Sequence, residues 1–157
     1  MIISADLTKF PKLSPDLGGR INVIAHSCNL QKTMGSGLAK QIVELYPQVF
    51  KADQNKNNQL DWLGKYLVVP VDKNKYVVNL YTQDKYGTDC RQVNYEAFYT
   101  ALDSLVKSLS SKSPEYVLGL PYKISCGLAG GDWNIINAMI ESISEKYKYD
   151  IWICKYD

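Results

Sequence analysis

Apolar runs of strand length alternate along this chain with segments in which apolar residues recur at helical spacing. Such alternation is typical of α/β proteins, in which helices cover both faces of a largely parallel sheet. Length and residue type mark the runs predicted as strands: Met1–Ala5, Ile21–Ala25, Tyr66–Val71, Lys75–Thr82, Tyr116–Leu120 and Asp150–Cys154. The sequence therefore predicts an α/β fold, a three-layer α/β/α sandwich on a mixed, largely parallel sheet.

Helical periodicity marks the segments between these strands. One helix is predicted from Gly37 towards Phe50, stopping around Pro47 because proline breaks a helix interior. The polar segment Lys51–Trp62 is interpreted as a loop with a helical turn. Two amphipathic helices follow from apolar residues at helical spacing: Phe98, Leu102, Leu105 and Leu109, then Trp133, Ile136, Ile140, Ile143 and Tyr147. Asp132 stands where the last helix needs its N-cap.

Length, charge and hydropathy narrow the functional classes. The 157 residues suit one domain, which we expect to span 1–157. With 18 Lys+Arg against 16 Asp+Glu, the chain lacks the dense basic face of a sequence-nonspecific nucleic-acid binder. No segment approaches roughly 18 uninterrupted apolar residues, and the N-terminus lacks the pattern of a signal peptide. We therefore predict a cytoplasmic protein with no membrane partner.

Cysteine and histidine are too sparse to predict a metal centre. The four cysteines, Cys28, Cys90, Cys126 and Cys154, lie far apart without a CxxC pair, and His26 is the one histidine of the sequence. A zinc site needs clustered thiolate and imidazole ligands. We predict no metal, no cofactor and reduced thiols.

A glycine-bearing loop follows the second predicted strand. It spans His26–Lys40, with Gly35 and Gly37 just before a helix. Free backbone N–H groups and the helix dipole there suit a bound phosphate. The segment is not a GxGxxG motif, because Lys40 stands at the third glycine position. The alternative is a helix-entry turn that needs glycine for backbone reasons alone.

A second glycine-bearing loop, Leu120–Trp133, follows a later strand and again precedes a helix. It contains Gly127, Gly130 and Gly131, so its backbone amides can approach a ligand closely. Ligands in open α/β sheets bind beyond the carboxyl ends of the strands. The two loops on one edge are therefore expected to hold a diphosphate from two sides.

Three polar side chains accompany these loops. His26 ends a strand beside the first loop and suits general acid–base work, with a structural role as the alternative. Asn29 could orient a hydroxyl or a water, or serve as an ordinary turn residue. Asp6 ends the first strand, where a carboxylate accepts from an exocyclic amine or caps the next turn.

Together these segments resemble a macrodomain, the ADP-ribose-binding α/β module. Asp6-Leu7-Thr8 resembles its Gly-Asp-Ile/Leu-Thr element. Ala25-His26-Ser27-Cys28 and Met34-Gly35-Ser36-Gly37-Leu38-Ala39 resemble the first loop of the branch with terminal ADP-ribose glycohydrolases. Val78–Thr82, Tyr95-Glu96 and Pro121–Trp133 are similar to later segments of that branch, in order.

The resemblance implies a ligand and a set of contacts. The ligand is ADP-ribose or a derivative, and nucleic acid is expected only as an ADP-ribosylated substrate of a monomeric protein. Asp6 and Leu7 would hold the adenine, and His26 would lie near the distal ribose. The implied diphosphate and ribose contacts are Met34, Gly35, Ser36, Gly37, Leu38 and Thr82 on one side, and Ser125, Cys126, Gly127, Leu128, Ala129, Gly130 and Gly131 on the other.

Two departures from that branch redirect the functional prediction. Its catalytic lysine and acid are replaced here by Gln83 and Ala129, which cannot act as amine nucleophile and proton shuttle. The Gly-Leu-Ala-Gly-Gly-Asp-Trp loop instead is similar to small yeast and viral macrodomains that act on ADP-ribose-1″-phosphate. We therefore predict a metal-independent phosphatase with His26, Asn29 and Asp132 as catalytic residues, although N-capping explains Asp132 equally well.

Three other functions remain open at this point. One is a non-catalytic ADP-ribose reader, and another is a hydrolase that removes ADP-ribose from protein or nucleic acid. The third is hydrolysis or capture of an ADP-ribose-type signalling nucleotide in a phage–host conflict.

Overall fold

The computed structural model describes residues 1–13, 18–35, 37–57, 59–86, 90–112 and 115–156. The strands are β1 (Ile2–Ser4), β2 (Val23–Asn29), β3 (Tyr66–Asp72), β4 (Lys75–Gln83), β5 (Leu118–Pro121) and β6 (Ile151–Lys155). The α-helices are α1 (Gly37–Leu45), α2 (Pro47–Asn55), α3 (Tyr95–Ser110) and α4 (Trp133–Tyr147), with short 3₁₀ helices at Leu7–Lys9 and Gln59–Trp62.

The strands form one mixed sheet in the order β1-β6-β5-β2-β4-β3. β3 runs antiparallel to β4, and the other neighbouring pairs are parallel. β2 lies between β5 and β4, and both of its faces are covered, so that Val23, Ile24, Ala25 and His26 are buried in succession. The predicted sandwich is confirmed.

Two apolar layers hold the helices to the sheet. On one face, α3 and α4 bury Phe98, Leu102 and Ile136 against Val23 and Leu118. On the other face, Ile42 of α1 and Val49 of α2 pack against Ile24, Val77 and Tyr81. Full burial of each such side chain contributes about 1.5–3 kcal/mol, so the carboxyl ends of β2 and β5 stand on a well-packed base.

The prediction for residues 37–62 is wrong in one respect. Pro47 does not end a helical region, because α1 already ends at Leu45 and α2 begins at Pro47 itself. Proline suits a first helical position, where the N–H has no intrahelical partner. The supposed loop is therefore α2 as far as Asn55, then the 3₁₀ helix Gln59–Trp62.

β2 is longer than its sequence predicts. It continues past Ala25 to Asn29 because β4 supplies partners all along it, His26 opposite Asn79 and Cys28 opposite Tyr81. By alternation along the strand, His26 shares a face with Ile24 and Cys28, under α1 and α2. The longer strand therefore decides where the imidazole lies.

The other predicted features lie as follows. Asp132 is the N-cap of α4, as expected, and its carboxylate accepts from the Asn134 N–H at 2.8 Å. All four cysteines are free thiols. In the described ranges, no three Cys, His, Asp or Glu side chains cluster closely enough to hold a metal ion. None of the helices in those ranges has the length and apolar character that crossing a membrane requires.

Candidate functional site

Two adjoining cavities open at the carboxyl edge of the sheet. The first, of about 700 Å³, lies between residues 26–39 and 121–129, and we call it the glycine-loop cavity. The second, of about 510 Å³, lies between Asp6, the start of α1 and residues 154–156, and we call it the Asp6 cavity. They share the lining residues Gly37, Leu38, Pro121, Tyr122 and Lys123 and so form one elongated cleft.

The start of α1 supplies backbone donors to this cleft. Gly37 opens the helix with a φ of 58°, a conformation that favours glycine. The first N–H groups of a helix have no intrahelical partner, and its dipole adds partial positive charge there. A Cβ placed on Gly35 would meet no atom within 4 Å, so open space lies in front of the backbone. This wall of the cleft suits an anion.

The loop after β5 forms the opposite wall and is tightly folded on itself. The Gly131 N–H donates to the Ser125 carbonyl at 2.8 Å. A Cβ on Gly131 would lie 2.6 Å from that oxygen, so only glycine fits there. In contrast, a Cβ on Gly127 would meet nothing within 4 Å. Within the described residues, the N–H groups of Gly127, Leu128 and Ala129 donate to no backbone carbonyl, so these amides are available to a ligand.

A hydroxyl pair joins the two walls. Ser27 Oγ and Ser125 Oγ lie 2.5 Å apart, and both residues line the glycine-loop cavity. Ser125 has a φ of 64°, an unfavourable backbone conformation for a residue with a side chain. The hydrogen bond therefore ties the end of β2 to a strained turn of the opposite loop.

His26 lies at the cavity edge, but its imidazole points away from solvent. The residue is 2% exposed, and Nε2 lies 2.6 Å from Asn79 Oδ1. Because a carboxamide oxygen only accepts, Nε2 carries the proton. Burial lowers the pKa of His26 to about 4, against smaller opposite effects of the Asn79 hydrogen bond and the Asp53 charge. Nδ1 is then the basic nitrogen of a ring that is almost completely buried and whose lowered pKa makes it a weak base. The acid–base role of His26 therefore stays a prediction.

Asn29 and Asp132, the other predicted catalytic residues, have local structural partners. Asn29 lines the glycine-loop cavity, accepts from the Gln31 N–H and donates to Thr33, which holds the turn before α1. Asp132 is exposed, caps α4 and lies outside the lining of both cavities. In the structure, Asp132 therefore acts as the N-cap of α4, which is the alternative given from the sequence.

The predicted ligand-binding residues divide into two groups. Those that line the cleft are Asp6, Leu7, Met34, Gly35, Gly37, Leu38, Ser125, Gly127, Leu128 and Ala129. Four others do not, namely Thr82, Cys126, Gly130 and Gly131. Ser36 lies outside the described residues.

The local structure around each of these four residues explains why it does not line the cleft. The Thr82 hydroxyl is buried and bonds no group of the described chain. The Cys126 thiol turns inward and donates to the Ile124 carbonyl at 3.3 Å. Gly130 and Gly131 lie behind the loop, close to Arg91 and Ser125 respectively.

Asp6 occupies one end of the cleft. It caps the 3₁₀ helix through one oxygen, Oδ1, which accepts from the Thr8 N–H at 3.0 Å and the Thr8 hydroxyl at 2.6 Å. Oδ2 accepts from no described residue. The two roles proposed from the sequence are therefore compatible, because one oxygen caps and the other is available.

Positive charge in the cleft comes from lysines around one tyrosine ring. Lys123 Nζ lies 5.6 Å from the Tyr122 ring centroid, and Lys155 Nζ lies 4.9 Å from it. In the described lining of the glycine-loop cavity, Lys123 is the one charged residue. The electrostatics therefore favour an anion near the junction of the two cavities.

Three lining residues, Ser27, Tyr122 and Lys123, were not among the predicted ligand contacts, although they lie within the resembling segments. Tyr86, which the sequence left open as a gate or a solvated loop residue, also lines the cavity. Gln83 also lines the cavity and donates to the Lys85 carbonyl at 2.6 Å. In the sequence, Gln83 had been noted only because it stands where the glycohydrolase branch has its catalytic lysine.

A mixed sheet with two open, amide-rich loops at its carboxyl edge defines an α/β protein with a cleft suited to an anion. No family model matches the chain. It is 31% identical over 128 residues to the "uncharacterized 17.5 kDa protein in tk-vs intergenic region" of Enterobacteria phage T4, over 78% of this chain and 80% of that protein. It is 28% identical over 137 residues to an ADP-ribose 1″-phosphate phosphatase of Lodderomyces elongisporus, over 80% and 82% of the two chains.

Solved structures share the fold along almost the whole chain. A protein of unknown function from Bacteroides thetaiotaomicron has a TM-score of 0.81 at 22% identity, over 99% of this chain and 96% of that one. A macrodomain protein from Streptomyces coelicolor has a TM-score of 0.74 at 25% identity, over 99% and 97%. Thermosipho africanus DarTG, solved in complex with ADP-ribose, has a TM-score of 0.71 at 17% identity, over 86% and 38%. The chain therefore has the macrodomain fold, which it shares with the Streptomyces coelicolor protein along almost its whole length.

Proposed function

We propose that this protein binds ADP-ribose in the cleft. The observation that carries the proposal is the pair of loops whose unpaired backbone amides face each other across one cavity. Backbone donors at a helix start and a tight loop are suited to a diphosphate. The structural relative DarTG from Thermosipho africanus, which was solved with ADP-ribose, supports the same choice of ligand.

The cleft suggests an orientation for this ligand. The adenine would lie in the Asp6 cavity, where Asp6 Oδ2 accepts from its exocyclic amine. The diphosphate would lie at the junction, between the start of α1 and Lys123. The distal ribose would then reach the glycine-loop cavity, towards Ser27 and Gln83.

As a finer proposal, the protein hydrolyses ADP-ribose-1″-phosphate, releasing ADP-ribose and inorganic phosphate. The phosphatase of Lodderomyces elongisporus, 28% identical over most of both chains, supports this reaction. Water adds to phosphorus, the bond from phosphorus to the ribose oxygen breaks, and that oxygen takes a proton. With His26 buried, stabilisation would come mainly from preorganised N–H and hydroxyl donors around the phosphate. Asn29 would orient the ribose or the water.

A binding module without turnover is the second candidate. One observation favours it: the described side chains of the glycine-loop cavity include no carboxylate, and the imidazole among them is buried. A site of this composition can hold a ligand, but its described lining offers neither a carboxylate nor an exposed imidazole for proton transfer. The same observation applies to removal of ADP-ribose from protein or nucleic acid, for which Gln83 and Ala129 replace the usual lysine and acid.

Two measurements test the proposal in order. Calorimetric titration with ADP-ribose, beside AMP and NAD, tests binding, and Asp6→Asn should weaken it while keeping the cap on the 3₁₀ helix. Absence of binding to the wild type would refute the proposal. Phosphate release from ADP-ribose-1″-phosphate then separates the phosphatase from the binding module, which yields none.

A further inference from the structure

A chain of buried polar side chains runs beneath the cleft, on the face covered by α1 and α2. Lys56 Nζ donates to Asp53 Oδ1 at 3.0 Å, and the Tyr81 hydroxyl donates to the same oxygen at 2.7 Å. Asn79 Nδ2 donates to the Tyr81 hydroxyl at 3.3 Å, and Asn79 Oδ1 accepts from His26 Nε2 at 2.6 Å. These residues come from α2 and its C-cap, from β4 and from β2. We call this set the buried chain.

Each hydrogen bond in the buried chain has a fixed direction. The carboxylate of Asp53 only accepts, so the Tyr81 proton points to it and the Tyr81 oxygen is left to accept from Asn79. That bond orients the Asn79 amide and turns its oxygen towards His26. The side chains of Asp53 and Lys56 are each 1% exposed, so water offers no alternative partners. Asn79 therefore holds the ring of His26 in one orientation, and the orientation of Asn79 is itself set by Tyr81 and Asp53.

Stability alone does not explain such an arrangement. A buried ion pair is often no better for stability than apolar side chains of the same volume. A buried polar network does, however, fix one arrangement of its members, because any other leaves a buried group unsatisfied. What the buried chain fixes is the carboxyl end of β2, where His26 and Cys28 alternate with Ser27 and Asn29.

We infer that the buried chain is a positioning device for the cleft. It holds the face of β2 that carries His26, and thereby fixes Ser27 and Asn29, which line the glycine-loop cavity. Its members are positioning residues, since only His26 among Lys56, Asp53, Tyr81, Asn79 and His26 borders the cavity. The inference rests on the proposed function in that ADP-ribose is the ligand used to test it.

The variant Tyr81→Phe breaks the buried chain at its centre. It removes the hydroxyl between Asn79 and Asp53 and keeps the ring, which packs edge-on against Trp62. We expect ADP-ribose to bind roughly fivefold more weakly, because displacement of Ser27 or Asn29 would cost the ligand about one hydrogen bond. We also expect the backbone amides of residues 26–29 to exchange hydrogen faster in the free protein.

Tyr149→Phe is the matched control. It removes a hydroxyl that donates to the Tyr116 carbonyl, and neither residue is in the described lining of the glycine-loop cavity or of the Asp6 cavity. A general loss of stability would be common to both variants. Weaker binding and faster exchange at residues 26–29 should occur in Tyr81→Phe alone.

Wild-type affinity and wild-type exchange rates in Tyr81→Phe would overturn the inference. Should that variant not fold, Asn79→Leu breaks the buried chain with a side chain of similar shape, and the same two readouts decide. If the wild type binds no ADP-ribose, the proposed function fails, while exchange at residues 26–29 still decides whether the buried chain fixes β2.

Discussion

Neutral burial of His26 makes the stability of this protein depend on pH in a predictable way. The pKa of the imidazole falls from its ordinary value of 6.5 to about 4 on folding. Between these values the unfolded chain binds more protons than the folded one. The contribution of His26 to stability is therefore highest above pH 6.5 and decreases as the pH is lowered. At 1.36 kcal/mol per pKa unit, His26 alone removes about 2 kcal/mol by pH 5 and about 3 kcal/mol by pH 4.

The variant His26→Gln isolates this contribution, because its side-chain N–H can still donate to Asn79 but does not titrate. Urea unfolding at pH 7, 6, 5 and 4, followed by tryptophan fluorescence, gives the free energy of unfolding of both proteins. Carboxylates contribute equally to the two curves, so the difference between the curves belongs to His26. It should change by about 2 kcal/mol in favour of the variant between pH 7 and pH 5. Parallel curves would refute the argument, since they would mean that the folded imidazole titrates near 6.5.

Three further substitutions test other parts of the site. Gly127→Ala adds a methyl group where no atom lies within 4 Å, so calorimetry should show weaker ADP-ribose binding at an unchanged melting temperature. Gly131→Ala forces a Cβ to 2.6 Å from a carbonyl oxygen and should lower the free energy of unfolding by about 2 kcal/mol or more in urea titration. If Gly127→Ala and Gly131→Ala had equal effects on binding and on stability, Gly127 would not face the cleft while Gly131 faces the interior of the loop. Thr82→Val removes a buried hydroxyl that has no partner in the described chain and should raise the free energy of unfolding by about 1 kcal/mol, whereas a loss would reveal a partner.

The fold could be predicted because its determinants are local. The strand Val23–Asn29 begins in the apolar run that the sequence shows at Ile21–Ala25, and the α4 boundary is marked by a capping aspartate. The error at Pro47 arose because a proline can mark either the end of a helix or the first position of the next one. Sequence alone does not distinguish the two cases when the helices adjoin.

The parts of the site that could be predicted are those formed by backbone groups, in the two glycine loops. Glycines mark places where a ligand or another chain segment approaches closely, and both glycine loops do line the cleft. The depth of His26 in the strand could not be predicted, because a strand end and a loop start look alike in sequence and only pairing with Asn79 decides between them. Residues of the buried chain are drawn from three separate segments, so no spacing in the sequence could connect Asp53 with Tyr81.

The hydroxyl bond between Ser27 and Ser125 joins positions 98 residues apart. Contacts of such long sequence separation must bear the entropy of closing a large loop, and they form after local helices and hairpins. The β3–β4 hairpin and the individual helices can form early, but the two walls of the cleft meet only when β5 has docked beside β2. We therefore expect the folding chain to acquire the ability to bind a ligand late, and a ligand that contacts both walls to stabilise the completed topology.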